Sequence, residues 1–410
     1  MSTQDIPLQR QDTDGSAATS RTLRQRLLKR MLSNAKAGQL SIRWPDGNCW
    51  QHAGTRPGPN AELYLNNNRA VTRLALGGDI GFAESFMEGD WDSPDLYQLL
   101  AFGVANLEPL DSVFTAKLVN AFWNRVQHAL RANTLKGSRR NIAFHYDLGN
   151  EFYGHWLDQT MTYSAALFME PNNDFAAAQL AKYQRLADAV GVQEGSRVLE
   201  IGCGWGGFVE TAIQDYGSTV VGLTLSAEQR KFAIDRLHAA GCSSQADIRL
   251  QDYRDVSGLF DAVVSIEMFE ALGEENRSIY FDKLRSVLRP GGKAGIQVIT
   301  INEDRYEAYR DRPDFIQKYI FPGGRLPSPE RFEKAATAAS FAIGDRFFFG
   351  DSYAKTLRRW HKQFETQWPV IKKLGFDDRF HRMWRYYLAY CEAGFRGGAI
   401  NVAQYTLIRS

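Results

Sequence analysis

RVLEIGCGWGGFVE, running from Arg197 to Glu210, is the stretch on which the fold turns. A short apolar strand leads directly into four glycines, Gly202, Gly204, Gly206 and Gly207, with Cys203 and Trp205 between them. Glycine at the carboxyl end of a strand allows a tight turn and lets backbone N–H groups approach a ligand closely. A glycine string alone is weak evidence, but this one follows a strand and opens a helix, the context such a cradle requires.

The surrounding pattern alternates. A helix from about Ala176 to Val190 precedes the strand, and STVVGLTL, a helix from Ala227 to Ala239, ADIRLQDY, FDAVVSIEMF, a helix through Arg285 and GGKAGIQVIT follow it. Strands and helices in this order make a mostly parallel sheet covered on both faces, a doubly wound α/β fold. Its ligand belongs beyond the carboxyl ends of the strands. A nicotinamide cofactor would call for a carboxylate at the end of the second strand, yet VVGLTLSAEQ has no acid before Glu228. The acid is instead Glu200, inside the first strand, where it suits the ammonium group of an amino-acid-bearing cofactor such as S-adenosylmethionine. A purely structural glycine turn is the plainer alternative.

At 410 residues the chain is long enough for two domains. A net charge of +2 argues against a nucleic-acid binder. Cys49, Cys203, Cys242 and Cys391 lie far apart without CxxC spacing, which favours free thiols over a disulfide framework or a zinc site, so no metal is expected. The first 20 residues are polar, read as disordered, and lack the apolar core of a signal peptide. No run long enough to span a bilayer occurs, which points to the cytoplasm. RTLRQRLLKRM, Arg21 to Met31, reads as a basic amphipathic helix, either packed by its leucines or lying on anionic lipid.

Residues 21–134 read as an N-terminal α+β module. LSIRWPDGNCWQHAG suggests a hairpin around Pro-Asp-Gly. A strand, a helix with a Gly-Gly break, a helix near Pro94–Asn106 capped by Ser93, and a helix near Asp111–Asn133 follow. The polar basic run beginning LKGSRRN, residues 135–144, is the expected linker, and 145–410 the catalytic domain. Aromatics make up 12% of the chain and crowd into its second half, in DRFFFGDSY, RMWRYYLAY and FIQKYIFPGG. They form either a large core or a pocket for an apolar or cationic species.

VLEIGCGWGGF, VVGLTLSAEQ, LQDYRD, SIEMFEALG, FIQKYIFPGGRLP and YYLAYCEAGFRGGAINVAQYTL together resemble the cyclopropane fatty acid synthase family of S-adenosylmethionine-dependent methyltransferases, with mycolic acid cyclopropane synthase among its kin. HYDLGNEFYGHWLDQTMTYSAAL looks like part of the same pattern, so the likeness runs collinearly from about His145 to the C-terminus. Upstream, GDIGFAESFMEGDW looks like the family's N-terminal module. The resemblance implies cofactor contacts at Tyr163 and Ser164, at Gly202 and Gly204, at Thr224 and Gln229 on the ribose side, and at Gln251 and Asp252 on the adenine side. It implies active-site roles for Glu270 and Tyr353, with Ile301 and Cys391 beside them, and a bound bicarbonate ion as general base. It also implies unsaturated phospholipid acyl chains as substrate, reached by peripheral contact with the inner membrane surface. Lipid gripping or pairing into a homodimer are the roles open to the N-terminal module.

An olefin is a poor nucleophile, and its methylation leaves a carbocation-like centre. The site must exclude water, stabilise positive charge with aromatic faces and a carboxylate, and hold a base. Two departures bear on that base. Where the family reads YSCAY this chain reads YSAAL, with Ala165 for a cysteine; where the family has a histidine in HTI, the chain has Ile299. A buried ion needs its hydrogen bonds, so both the ion and ring closure are left open. Three readings remain: a synthase that closes a cyclopropane ring, a methyltransferase ending in a branched, still-unsaturated chain, and a lipid-binding protein with a decayed site.

Overall fold

The computed structural model of the protein describes residue 23 and residues 25–111, 148–169 and 174–410. The chain divides into two compact units, Met1–Lys117 and Leu118–Ser410. The expected disordered start, the linker at 135–144 and the helix near 111–133 lie outside the described residues.

In the first unit residues 25–32 are helical. Leu28, Met31 and Leu32 are buried, whereas Leu23 and Leu27 stay exposed, so only part of the leucine set packs. Strands β1 (Ala37–Arg43), β2 (Cys49–Ala53), β3 (Arg56–Leu65) and β4 (Trp91–Asp92) form a sheet ordered β2-β1-β3-β4. β1 and β2 are the expected hairpin: the Trp44 amide donates to the Asn48 carbonyl and Gly47 takes φ +84°, which its lack of Cβ allows. Helix α1 (Arg69–Met87) is broken at Gly78, at the Gly-Gly pair. Helix α2 (Leu96–Ala105) starts later than the sequence reading: Asp95, not Ser93, accepts from the Gln98 amide as N-cap. Ser93 donates to the Asp95 carbonyl instead.

The second unit is built on β5 (Arg197–Ile201), β6 (Thr219–Thr224), β7 (Ala246–Leu250), β8 (Phe260–Ile266), β9 (Leu288–Ile301), β10 (Phe341–Phe348) and β11 (Ile400–Arg409), in the order β10-β11-β9-β8-β5-β6-β7. β9, β8, β5, β6 and β7 run parallel, and β11 pairs antiparallel with both β9 and β10. Side chains alternate between two cores: Val198 and Val264 enter one, with Leu186 and Phe208, while Leu199 and Val263 enter the other, with Phe281 and Phe332. Burial on both faces explains the near-continuous apolar strands. Helices α3 (Phe175–Val190), α4 (Gly207–Gln214), α5 (Ala227–Ala239) and α6 (Arg277–Val287) are the expected connections.

The aromatic C-terminal third contributes β10 and β11, which were not expected as strands, and a helical pair, α7 (Gly350–Ile371) and α8 (Asp378–Arg396). Trp156, Trp360 and Trp384 are all fully buried. Trp156 lies edge-on to Tyr163, Trp360 and Trp384 at ring separations of 5.5, 5.7 and 5.8 Å. The aromatic excess is therefore in good part a core, and that core carries Tyr163. Among the described residues no helix is long and apolar enough to cross a membrane.

Candidate functional site

The glycine loop is shaped by three left-handed residues, Gly202 at φ +85°, Gly204 at +52° and Gly206 at +84°. The amides of Gly202 and Cys203 both donate to the Leu223 carbonyl, at 3.0 and 2.8 Å, pinning the loop to β6. A Cβ on Gly202 would come within 3.1 Å of Met268, whereas one on Gly204 would meet nothing within 4 Å. The loop is thus packed on one side and open on the other. The indole N–H of Trp205 donates to Asn150 Oδ1 at 2.7 Å, tying the loop to the segment that carries Tyr163 and Ser164.

Glu200 is 2% exposed and its Oε2 has no hydrogen-bond partner. Burial pushes its carboxyl up to about 8, against the opposing pull of Lys182 and Arg236. A buried acceptor left without a donor calls for a ligand, and the ammonium group of S-adenosylmethionine is such a donor, so the residues present fit that cofactor. At the next strand ends, Thr224 Oγ1 donates to Gln229 Oε1 at 2.8 Å and the Gln251 amide to the Thr224 carbonyl at 3.1 Å. Asp252 is buried and holds Arg254 through both carboxylate oxygens, at 2.9 and 2.8 Å. The cofactor candidates lie at carboxyl ends of strands or on the covering segment, save Gln229, which sits in the first turn of α5.

On the opposite side of the site, the Tyr353 hydroxyl donates to Glu267 Oε2 at 2.6 Å. Glu267 Oε1 accepts from the Ala165 amide at 2.9 Å and from Gln297 Nε2 at 2.8 Å. Burial raises the Glu267 carboxyl, while Tyr353, Ala165, Lys182 and Gln297 pull it back down. Glu267 sits at φ +51°, an unusual conformation for a side-chain-bearing residue. Glu270 Oε1 accepts from the Ile299 amide and its Oε2 has no partner. Burial first, and the Glu267 charge second, push its carboxyl up to about 8. Burial thus raises both neighbouring carboxyls, but Glu267 is met by three donors, whereas Glu270, at about 8, is held mostly protonated at pH 7.

Sequence reading missed Glu267. The signal was present, since SIEMFE places two acids just past the end of a strand, but only the later one carried the family likeness. The bicarbonate site is affected directly. The Tyr353 hydroxyl and the Ala165 amide are spent on Glu267, and the Ile301 amide donates to the Pro327 carbonyl at 3.0 Å. A bound anion would set a second buried negative charge beside the Glu267 carboxylate, with these donors already taken, so these residues do not fit bicarbonate. Burial pushes the Cys391 thiol up, away from a reactive thiolate. Tyr163 shares a hydrogen bond of 2.7 Å with Tyr387, and Lys182 Nζ donates to Ser164 Oγ at 2.6 Å. Lys182 is fully buried, which lowers its amine to about 7.

A family model described as "Mycolic acid cyclopropane synthetase" matches residues 133–405. The tuberculostearic acid methyltransferase UfaA1 of Mycobacterium tuberculosis is 40% identical over 405 residues, covering 96% of this chain and 92% of that protein. The cyclopropane-fatty-acyl-phospholipid synthase of Escherichia coli is 34% identical over 353 residues, 85% of this chain and 88% of its own. Among solved structures, mycolic acid cyclopropane synthase CmaA1 complexed with SAH and CTAB superposes with a TM-score of 0.62 at 30% identity, over 66% of this chain and 98% of that one.

Proposed function

The chain belongs to the mycolic acid cyclopropane synthetase family, and from that premise we propose that it methylates the double bond of unsaturated phospholipid acyl chains and finishes as a methyl-branched, still-unsaturated product. It is an S-adenosylmethionine-dependent, lipid-modifying methyltransferase. The cofactor supplies an electrophilic methyl group. When the olefin takes that methyl, the other olefinic carbon is left electron-deficient. Loss of a proton from a flanking carbon then returns the C–H electron pair as a new double bond, and the chain has gained one CH2.

The observation that carries this reading is the Glu267 carboxylate with its three donors. Oε1 has two hydrogen bonds and is full, whereas Oε2 accepts only from Tyr353 and keeps one lone pair for the departing proton. Tyr163 and Tyr353 offer aromatic faces to positive charge, and the buried tryptophans around them keep water out. Glu270, neutral at pH 7, adds no competing charge. The branched ending, in preference to the ring, is supported by the poor fit of bicarbonate and by the relative named as a tuberculostearic acid methyltransferase, similar over nearly the whole chain. Cytoplasmic residence, peripheral contact with the inner membrane surface and homodimer formation belong to the same proposal.

The test is incubation of the full chain with S-adenosylmethionine and liposomes of unsaturated phospholipid. Mass spectrometry should report acyl chains heavier by one CH2, and proton NMR should retain olefinic signals without the upfield resonances of a cyclopropane. Upfield ring protons would return the reading to ring closure. Unchanged lipids with tight liposome binding would leave only a lipid-binding protein.

A further inference from the structure

Two glutamines stand opposite each other in the middle of the sheet, Gln404 on β11 and Gln297 on β9, paired in register and almost completely buried. Their strand neighbours Ile296, Val298, Ala403 and Tyr405 are buried and apolar or aromatic. Packing alone would be met there by apolar side chains, and a buried amide is tolerated only when its groups are satisfied. These are satisfied in a single direction. Arg185 donates through one guanidinium nitrogen to Gln404 Oε1 at 2.8 Å. Gln404 Nε2 donates to the Lys182 carbonyl at 3.1 Å and to Gln297 Oε1 at 3.0 Å. Gln297 Nε2 then donates to Glu267 Oε1 at 2.8 Å.

The ends settle which way each amide points. A guanidinium has donors only, so it must face the oxygen of Gln404. The Gln404 nitrogen is thereby turned towards two acceptors, and Gln297 must offer its oxygen to Gln404 and its nitrogen to Glu267. Flipping Gln297 would set oxygen against a carboxylate at one end and nitrogen against nitrogen at the other. Arg185 is itself held from β10, by Asp345 at 2.5 Å and with its guanidinium carbon 3.8 Å from the Phe347 ring centre.

We propose that Arg185, Gln404 and Gln297 form a one-way hydrogen-bond relay that aims the Glu267 carboxylate and guarantees it a donor, which makes Gln297 a positioning residue for the proton-removing step. The proposal rests on the reading that Glu267 takes the proton. The other titratable groups bearing on Glu267 are Glu270 from the turn after β8, Lys182 from α3 and Tyr353 from α7. Lys182 meets the relay only through its backbone carbonyl, and the side chains of all three stand outside it, so the relay can be broken at Gln297 while they stay in place.

Gln297→Met keeps the shape of the side chain and removes the donor. In single-turnover methylation followed against pH, the rate falls on the acid side as Glu267 protonates. Losing one of three donors to a carboxylate should move that acid limb upward by about one pH unit, with the cofactor Kd unchanged. Arg185→Leu, at the partly exposed end, should move it the same way by less. Should Gln297→Met fail to fold in a thermal melt, Gln404→Met replaces it with the same readout. A rate lowered equally at all pH values, with the limb unmoved, is a packing defect and overturns the proposal. A limb moved by Gln297→Met but not by Arg185→Leu overturns the relay. Glu267→Gln separates the two ideas: if it turns over normally the base assignment fails, whereas a dead Glu267→Gln with an unmoved Gln297→Met limb sinks the relay alone.

Discussion

The carboxyl ends of two neighbouring strands carry buried glutamates in opposite conditions. Glu200, on β5, is left with an oxygen that nothing in the chain satisfies. Glu267, just past β8, is met by an amide, a glutamine and a tyrosine hydroxyl. An orphaned carboxylate is a socket, since burial costs free energy until a ligand brings its own donor. A saturated one is a tool already assembled, its charge stabilised and its free lone pair directed before substrate arrives. On the proposed reading, the protein leaves its cofactor end incomplete and finishes its reacting end in advance.

The contrast is broken most severely at Glu267. Glu267→Gln should bind S-adenosylmethionine as the parent does in calorimetry, while methylation falls by about 10²–10⁴-fold, the usual worth of a positioned general base. Next comes Glu200, whose defect should appear in binding rather than chemistry. Its carboxyl sits at about 8 in the free protein, and an ammonium partner requires it ionised. Cofactor binding therefore releases a proton below pH 8, and affinity should rise about tenfold per pH unit from pH 6 towards 8. Glu200→Gln should weaken binding and flatten that slope; a slope that survives the substitution would assign the proton elsewhere. The smallest effect is expected at Glu270. Held neutral at pH 7 by a carboxyl at about 8, it is mimicked by glutamine, so Glu270→Gln should change the rate at pH 7 by only about 2–3-fold. Above pH 8 the parent should slow as a second charge forms beside Glu267, and Glu270→Gln should not. Loss of activity at every pH would instead make Glu270 a direct participant.

Legibility differed with the distance over which residues meet. The strand, glycine loop and helix from Arg197 to Gln214 were readable because strand period, positive-φ glycine and helix start are all local. The helices Phe175–Val190 and Ala227–Ala239 matched expectation for the same reason. β11 escaped because its central residues are buried on both faces and so show no alternation, and β10 because it is a largely exposed edge strand with no regular alternation either. The cap of α2 went to Asp95 in place of Ser93, a shift of two residues that only backbone geometry settles. Glu267 escaped because its partners are 102, 30 and 86 residues away.

Local chemistry alone pointed to the doubly wound sheet, the cradle beyond its first strand and the carboxylate suited to an amino-acid-bearing cofactor, while Ala165 and Ile299 stood out only against the family pattern that the sequence resembles. The first three follow from periodicity, from glycine's freedom and from residue identity. Which of two glutamates three residues apart receives the tyrosine, and which is left neutral, depended on how β8, β9, α7 and the segment at 165 come together. A carboxyl's charge is decided by the donors and the burial around it, and those are contributed by parts of the chain that meet only once it has folded.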